Sequence, residues 1–249
     1  MKSQTRFVLI SVVGIVLVVA GLIYAASEMI GFDLFRSGRT EQRSESSSRV
    51  FDARANALVE LDSSSVSLEG IEKLYVFGGW DLTVREGSEP SLTVRATERI
   101  ADRIDLSASG DTLGLEVERN TNYVNVKIEA TLVVPEITDI DIDGAADLEI
   151  SGFDQERLAI DVAGASNVEV YDSRFENVLV DVAGAANVDL SESVAVNVEV
   201  DLDGAANVEL FMDGGRLTGT LDGLGQVTYR GEVLEETIDV DGLGSVDRR

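Results

Sequence analysis

Residues 66–249 predict an all-β fold, a parallel β-helix or solenoid with rungs of about twenty residues, preceded by one transmembrane helix over residues 7–26. Three observations carry that expectation. A glycine-centred motif recurs from Ile140 onward, with successive glycines spaced twenty, twenty, twenty, nineteen and nineteen residues apart. The stretch before it, from Val66, alternates apolar with polar residues at the period of a strand. At the N-terminus, "FVLISVVGIVLVVAGLIYAA" (Phe7 to Ala26) holds no charge and is long enough to cross a bilayer as a helix.

Lys2 and Arg6 precede the apolar segment, as expected of a cytoplasmic tail over residues 1–6. A cleaved signal peptide is the alternative, but its apolar core is shorter and ends at a better small-residue site than "YAAS". An uncleaved signal-anchor is therefore expected, single-pass in the inner or plasma membrane. The domain would then lie in the periplasm or outside the cell. Arg36, Arg39 and Arg43 follow closely and weaken the charge asymmetry that sets orientation. Residues 27–56 are polar, rich in Ser and Arg and without sustained periodicity, and read as a tether. A short amphipathic helix near Met29 to Phe35, lying on the membrane surface, is the minor alternative.

Composition excludes several functions. The chain has no cysteine and no histidine, which removes disulfides, thiol chemistry and the commonest general base and transition-metal ligand. A formal charge of −26 opposes binding to nucleic acid or anionic lipid. Only Lys2, Lys73 and Lys127 are lysines among 20 basic residues. That balance fits a saline habitat, where repulsion is screened, and equally an ordinary exported acidic protein.

Between Val66 and Pro135, "LYVFGGWDLTV", "SLTVRAT", "TLGLEVE" and "VNVKIEATLVV" read as strands, with "REGSEP" and "SASGD" as turns. Nothing there reads as a helix. Pro90 and Pro135 stand at strand boundaries, where a missing N–H is tolerated. Trp80 shares one face with Leu82 and Val84 and is expected in the core rather than on a ligand platform.

The repeats, "IDIDGAADLEI", "IDVAGASNVEV", "VDVAGAANVDL" and "VDLDGAANVEL", begin at Ile140, Ile160, Val180 and Val200, with looser copies at Gly219 and Ile238. A fixed period near twenty is the mark of stacked supersecondary units. Leucine-rich repeats share it, but their leucine consensus is missing. Six stacked units predict a height of about 29 Å at the 4.8 Å strand spacing. Val162, Val182, Leu202, Val168, Val188 and Val208 are expected to point inward. The structural residues are Gly144, Gly164, Gly184, Gly204, Gly223 and Gly242, expected at positive φ in a sharp bend between two strands. The column Asp147, Asn167, Asn187, Asn207, Gln226, Ser245 is expected to hydrogen-bond from repeat to repeat.

Two outward columns are acidic: Asp141, Asp161, Asp181 and Asp201, with Asp239 further down, then Glu149, Glu169, Asp189 and Glu209. Neighbouring carboxylates at the strand spacing repel by about 1 kcal/mol in water. A solvated face is the first reading, and a calcium site at Asp161, Asp181 and Asp201 the second. Neither the glycine-rich nonapeptide nor the twelve-residue calcium loop is present. No other cofactor is expected. An enzyme on this scaffold would draw on Arg157, Arg174, Arg216 or Arg230, which are scattered at turns, and no nucleophile, base and orienting group come together.

The run from Gly78, "GGWDLTVREGSEPSLTVRATERIADRIDLSASGDTLGLEV", followed by "GAANVEL"-type repeats, resembles the head GIN domain of auto-transporter adhesins over about Val66 to Val246. The resemblance implies an all-β, β-helix-like exported domain and supplies no catalytic residues. No membrane barrel follows Arg249, so an N-terminal anchor is expected in place of self-secretion. The expected function is a non-catalytic, membrane-tethered interaction domain for an envelope or extracellular polymer or protein. The alternative is a calcium-dependent enzyme acting on polysaccharide.

Overall fold

The computed structural model describes residues 57–119 and 126–249; the expected tail, transmembrane segment and tether lie outside the described residues. Among the described residues no helix is long and apolar enough to cross a membrane. Eleven strands form one sheet: β1 (Leu58–Glu60), β2 (Lys73–Glu86), β3 (Ser91–Thr97), β4 (Ile104–Ser109), β5 (Thr112–Val117), β6 (Ile128–Val134), β7 (Asp139–Ser151), β8 (Asp154–Asp213), β9 (Arg216–Glu232), β10 (Glu235–Gly242) and β11 (Ser245–Arg248).

The sheet is mixed, and this corrects the expected parallel β-helix. Strand order runs β1-β3-β6-β2-β7-β8-β9-β10, with β5 beside β2, β4 beside β5 and β11 beside β9. β1 with β3, β3 with β6 and β4 with β5 are antiparallel. The reason is local. Only Gly110 and Asp111 link β4 to β5, and a two-residue link can join only an antiparallel pair. Gly110 has φ +64° at the first loop position, where a type II′ turn takes glycine. A six-residue 3₁₀ helix, Glu98–Arg103, interrupts the strands and buries Ile100. The sequence reading missed it because six residues are too few to display a helical period.

β2 is the hinge of the arrangement. On one side it pairs in parallel with β5 through Lys73–Phe77 and with β6 through Asp81–Glu86; on the other it pairs with β7 along thirteen positions. From β7 onward the pairing is parallel. Asp139–Ser151 lies against Ala159–Tyr171, and Val198–Asp213 against Leu217–Glu232, so the register follows the spacing of the glycines. Alternation puts Leu74, Val76, Trp80, Leu82 and Val84 of β2 in the core, continued by Ile140, Ile142, Leu148 and Ile150 of β7. Trp80 is fully buried, and its indole N–H donates to the Phe77 carbonyl at 3.1 Å. Phe153 and Phe175 close the core near the far ends of the strand pairs.

Apart from Gly242, the last residue of β10, the marker glycines do not separate two strands. Gly144 lies inside β7, and Gly164, Gly184 and Gly204 lie inside β8. Their requirement is a close approach of backbone. Gly184 has φ +155°, and a Cβ there would stand 2.2 Å from the Gly164 carbonyl oxygen.

Candidate functional site

The pleat sends every second residue of β7, β8 and β9 outward, and the parallel register aligns like with like. Tyr75, Asp141 and Asp161 are consecutive partners across three strands, and Asp201 pairs with Thr220 further along. A hollow of ≈ 360 Å³ lies over this face, lined by Lys73, Tyr75, Asp141, Arg157, Asp161, Leu179 and Asp181 among others. A second, of ≈ 380 Å³, shares Arg157 and Leu179 and continues to Asn197, Arg216 and Thr218. Together they form a shallow trough running across successive strands.

Its electrostatics are set by partial burial and like charge. Burial, and then the neighbouring carboxylates, push Asp141, Asp161 and Asp181 above the usual carboxyl range. Two cations of the trough are matched locally: Arg157 meets Asp139 at 3.0 Å, and Lys73 meets Asp111 at 3.0 Å. Asp201 accepts hydrogen bonds from the Thr220 hydroxyl at 2.8 Å and its amide at 3.1 Å. The calcium candidates Asp161, Asp181 and Asp201 therefore lie in a line along the face. Among the described residues no three acidic groups converge on a point that could hold a metal ion.

The second acidic column behaves similarly. Burial and the Glu169 charge raise Glu149. Beside it, Asp147 is raised chiefly by burial, against the opposing hydrogen bond from Asn167. The amide column itself is partial. Asn167 donates to Asp147 at 3.1 Å and Asn187 to Asn167 at 3.1 Å, but the buried Oδ1 of Asn207 has no partner. Gln226 and Ser245 both turn to Asp247, at 2.8 and 2.9 Å.

Two ladders escaped the sequence reading. Asn197 donates to the Glu176 carbonyl at 3.2 Å and to Asn177 at 3.3 Å, and accepts from the Arg216 amide at 3.2 Å. Ser173 and Ser193 form a buried corner: Ser193 Oγ takes the Ser173 amide at 3.3 Å, and Ser173 Oγ takes the Phe153 amide at 3.1 Å. The available signal was the same twenty-residue spacing, outside the glycine motif.

The four candidate arginines do not assemble. Arg157 serves Asp139, Arg174 pairs with Asp213 at 3.2 Å, Arg216 donates its amide to Asn197, and Arg230 reaches the Ser191 carbonyl while lying over the Phe211 ring. The side chains of Arg157, Arg174 and Arg230 are strand-to-strand ties, whereas Arg216 contributes its backbone amide.

Fold and face define the class: an all-β domain presenting a broad acidic surface. The chain belongs to the family described as "Putative auto-transporter adhesin, head GIN domain", whose model matches residues 70–233. It is similar in structure to a "putative adhesin" from Bacteroides fragilis, at TM-score 0.64 and 17% identity, over 78% of this chain and 97% of that one. A "putative lipid binding protein" and a "putative adhesin", both from Parabacteroides distasonis, align at TM-score 0.45 with 17% and 10% identity; each covers 78% of this chain and 96% of its own. Comparison with curated proteins finds no match.

Proposed function

We propose that this chain is a non-catalytic interaction domain, exported and tethered by residues 7–26, that binds a repeating envelope or extracellular polymer, or a protein, along the trough. The observation that carries this is the in-register outward face: Asp141, Asp161 and Asp181 offer a carboxylate at successive steps of the trough, with Tyr75 beside Asp141. A ligand with its own repeat meets several equivalent acceptors at once, and weak contacts add through high effective concentration. A compact metabolite would touch one step only. Membership of the adhesin family supports binding as the role.

The test is capture of labelled envelope polysaccharides and proteins by the full chain, against a variant with Asp161→Arg and Asp181→Arg. Retention that falls at least about tenfold in the variant supports the trough. Equal retention removes it from the reading. Turnover of uronide polymers would favour an enzyme instead. Orientation is tested by adding protease to spheroplasts: digestion of the domain with residues 7–26 retained is expected, and full protection or a mature N-terminus near Ser27 would contradict it.

A further inference from the structure

The two ends of the sheet are finished differently. At β2 the core is covered by β5 and β6, which are backed by β4 and β3. At the other end, among the described residues, β10 and β11 pair only with β9, and no further strand continues the inward columns. Leu202, Leu221 and Val240 are successive partners, exposed by 4%, 1% and 39%. Among the described residues, the large apolar side chains that are exposed, Leu234 at 76%, Val240 and Leu243 at 71%, all lie on this last edge. Natural edges are blunted by charge, a bulge, a proline or a covering element, and of these β10 carries only charge, all of one sign. Residues 233–249 contain no proline, and β10 pairs with β9 in unbroken register over its eight residues.

The edge is also charged. Glu235, Asp239 and Asp241 have no ion pair or side-chain hydrogen bond among the described residues. Glu236 is held by the Tyr229 hydroxyl, and Asp247 by Gln226 and Ser245. A second copy placed edge to edge would set these carboxylates against their own kind. The tether offers no counter-charge, since residues 27–56 carry five arginines against five acidic residues. An open row of backbone groups, an uncovered aliphatic core and unneutralised carboxylates select one chemistry.

We infer that the β10 edge is a docking site for an extended segment of another protein, one that adds a strand to the sheet. Its apolar side chains cover Val240, Leu234 and Leu243. Its Arg or Lys side chains meet Glu235, Asp239 and Asp241. Backbone pairing supplies affinity and the alternation supplies selectivity, as in other strand-addition complexes. The edge adjoins the far end of the trough, where Glu235 and Thr237 pair with Arg216 and Thr218, but Asp239 and Asp241 stand strands away from Asp161 and Asp181, so substitutions at the two places separate the sites.

The experiment uses the full chain in detergent micelles and a fluorescent peptide of eight residues alternating Arg and Val, the length of β10. Anisotropy should report binding of this peptide and none of its Glu–Val counterpart. Proline in place of a central valine should weaken binding at least about tenfold, because it removes a ladder hydrogen bond. Asp239→Lys with Asp241→Lys should abolish binding, whereas Asp161→Lys with Asp181→Lys should change it by less than about threefold; matching melting temperatures confirm that each variant folds. Absent binding, or equal loss in both variant pairs, would overturn the proposal, the latter by reducing it to the general field of an acidic protein. A concentration-dependent dimer dispersed by Val240→Pro would overturn it too, by assigning the edge to a second copy.

Discussion

Replacing Gly184 with alanine measures how much of the fold rests on one backbone contact. The new Cβ would lie 2.2 Å from the Gly164 carbonyl oxygen and 3.0 Å from the Gly164 carbon and nitrogen, so two paired strands must part by about an ångström. Overpacking of this kind costs about 1–3 kcal/mol. Holding alanine at φ +155° adds about 1–3 kcal/mol. The sum, about 2–6 kcal/mol, lowers the melting temperature by at least about 4 °C in a domain of this size. Gly110 is the control: its φ is +64° and a Cβ would meet nothing within 4 Å, so alanine there carries only the conformational cost of about 1–2 kcal/mol. The assay is urea unfolding followed by fluorescence of the single tryptophan, the buried Trp80. A loss at Gly184 no larger than at Gly110 would refute crowding by the neighbouring strand as the reason for glycine.

Three further outcomes are expected. Asp141, Asp147, Glu149, Asp161 and Asp181 are held above their ordinary values, so the folded state binds protons more readily than the unfolded one across that window. Stability should therefore fall as pH rises through it, giving a higher melting temperature near about pH 5 than at pH 7. Asp62 and Asp111 act in the opposite sense but are open to solvent and screened, the Asp111 side chain being 46% exposed; changing Asp141, Asp161 and Asp181 to Asn should flatten the slope, and an unchanged slope would contradict this. Sodium and calcium salts at matched ionic strength should stabilise the protein equally, and Asp161, Asp181 and Asp201 changed together to Asn should remove most of the effect; a calcium-specific rise in melting temperature lost in that triple variant would show chelation. Asn197→Ala should cost about 1–3 kcal/mol in urea unfolding, because three hydrogen bonds depend on it, while Asn207→Ala, whose Oδ1 has no partner, should cost less than about 0.5 kcal/mol.

What could be read from residues alone was governed by periodicity. The inward valines and isoleucines, the buried Trp80 and the positive φ of the glycines follow from period-two alternation and a constant spacing. The direction of the strands does not follow from alternation, which is the same for parallel and antiparallel partners. That is why the antiparallel partners of β3 do not show in the alternation, and β4, whose Ser107–Ser109 end falls in the "SASGD" turn signal, is a strand that the turn composition conceals. The trough was half legible: the aspartates announce themselves by spacing, but Tyr75 and Arg157 join them only through register across β2, β7 and β8. The serine corner at Ser173 and Ser193 stayed hidden because buried hydroxyls resemble loop polarity until their backbone partners are known.

The sameness of neighbouring segments has a kinetic consequence. "VDVAGAANVDL" at Val180 could lie against Ile140 with the same faces inward as against Ile160, since the inward apolar positions, the glycine and the two outward acidic columns coincide in all three, the first copy differing by Asp143 and Asp147. A slip by one whole unit keeps every side chain on its proper face, so burial alone does not penalise it. Correct alignment must come from what is unique: Trp80 in β2, the Phe153 and Phe175 corners, and the shorter nineteen-residue step into β9. β2 also has partners on both flanks, which leaves β7 a single place to dock. The mixed half is thus the reference mark from which the later strands are counted. A chain that starts counting elsewhere must unzip before it can correct the error.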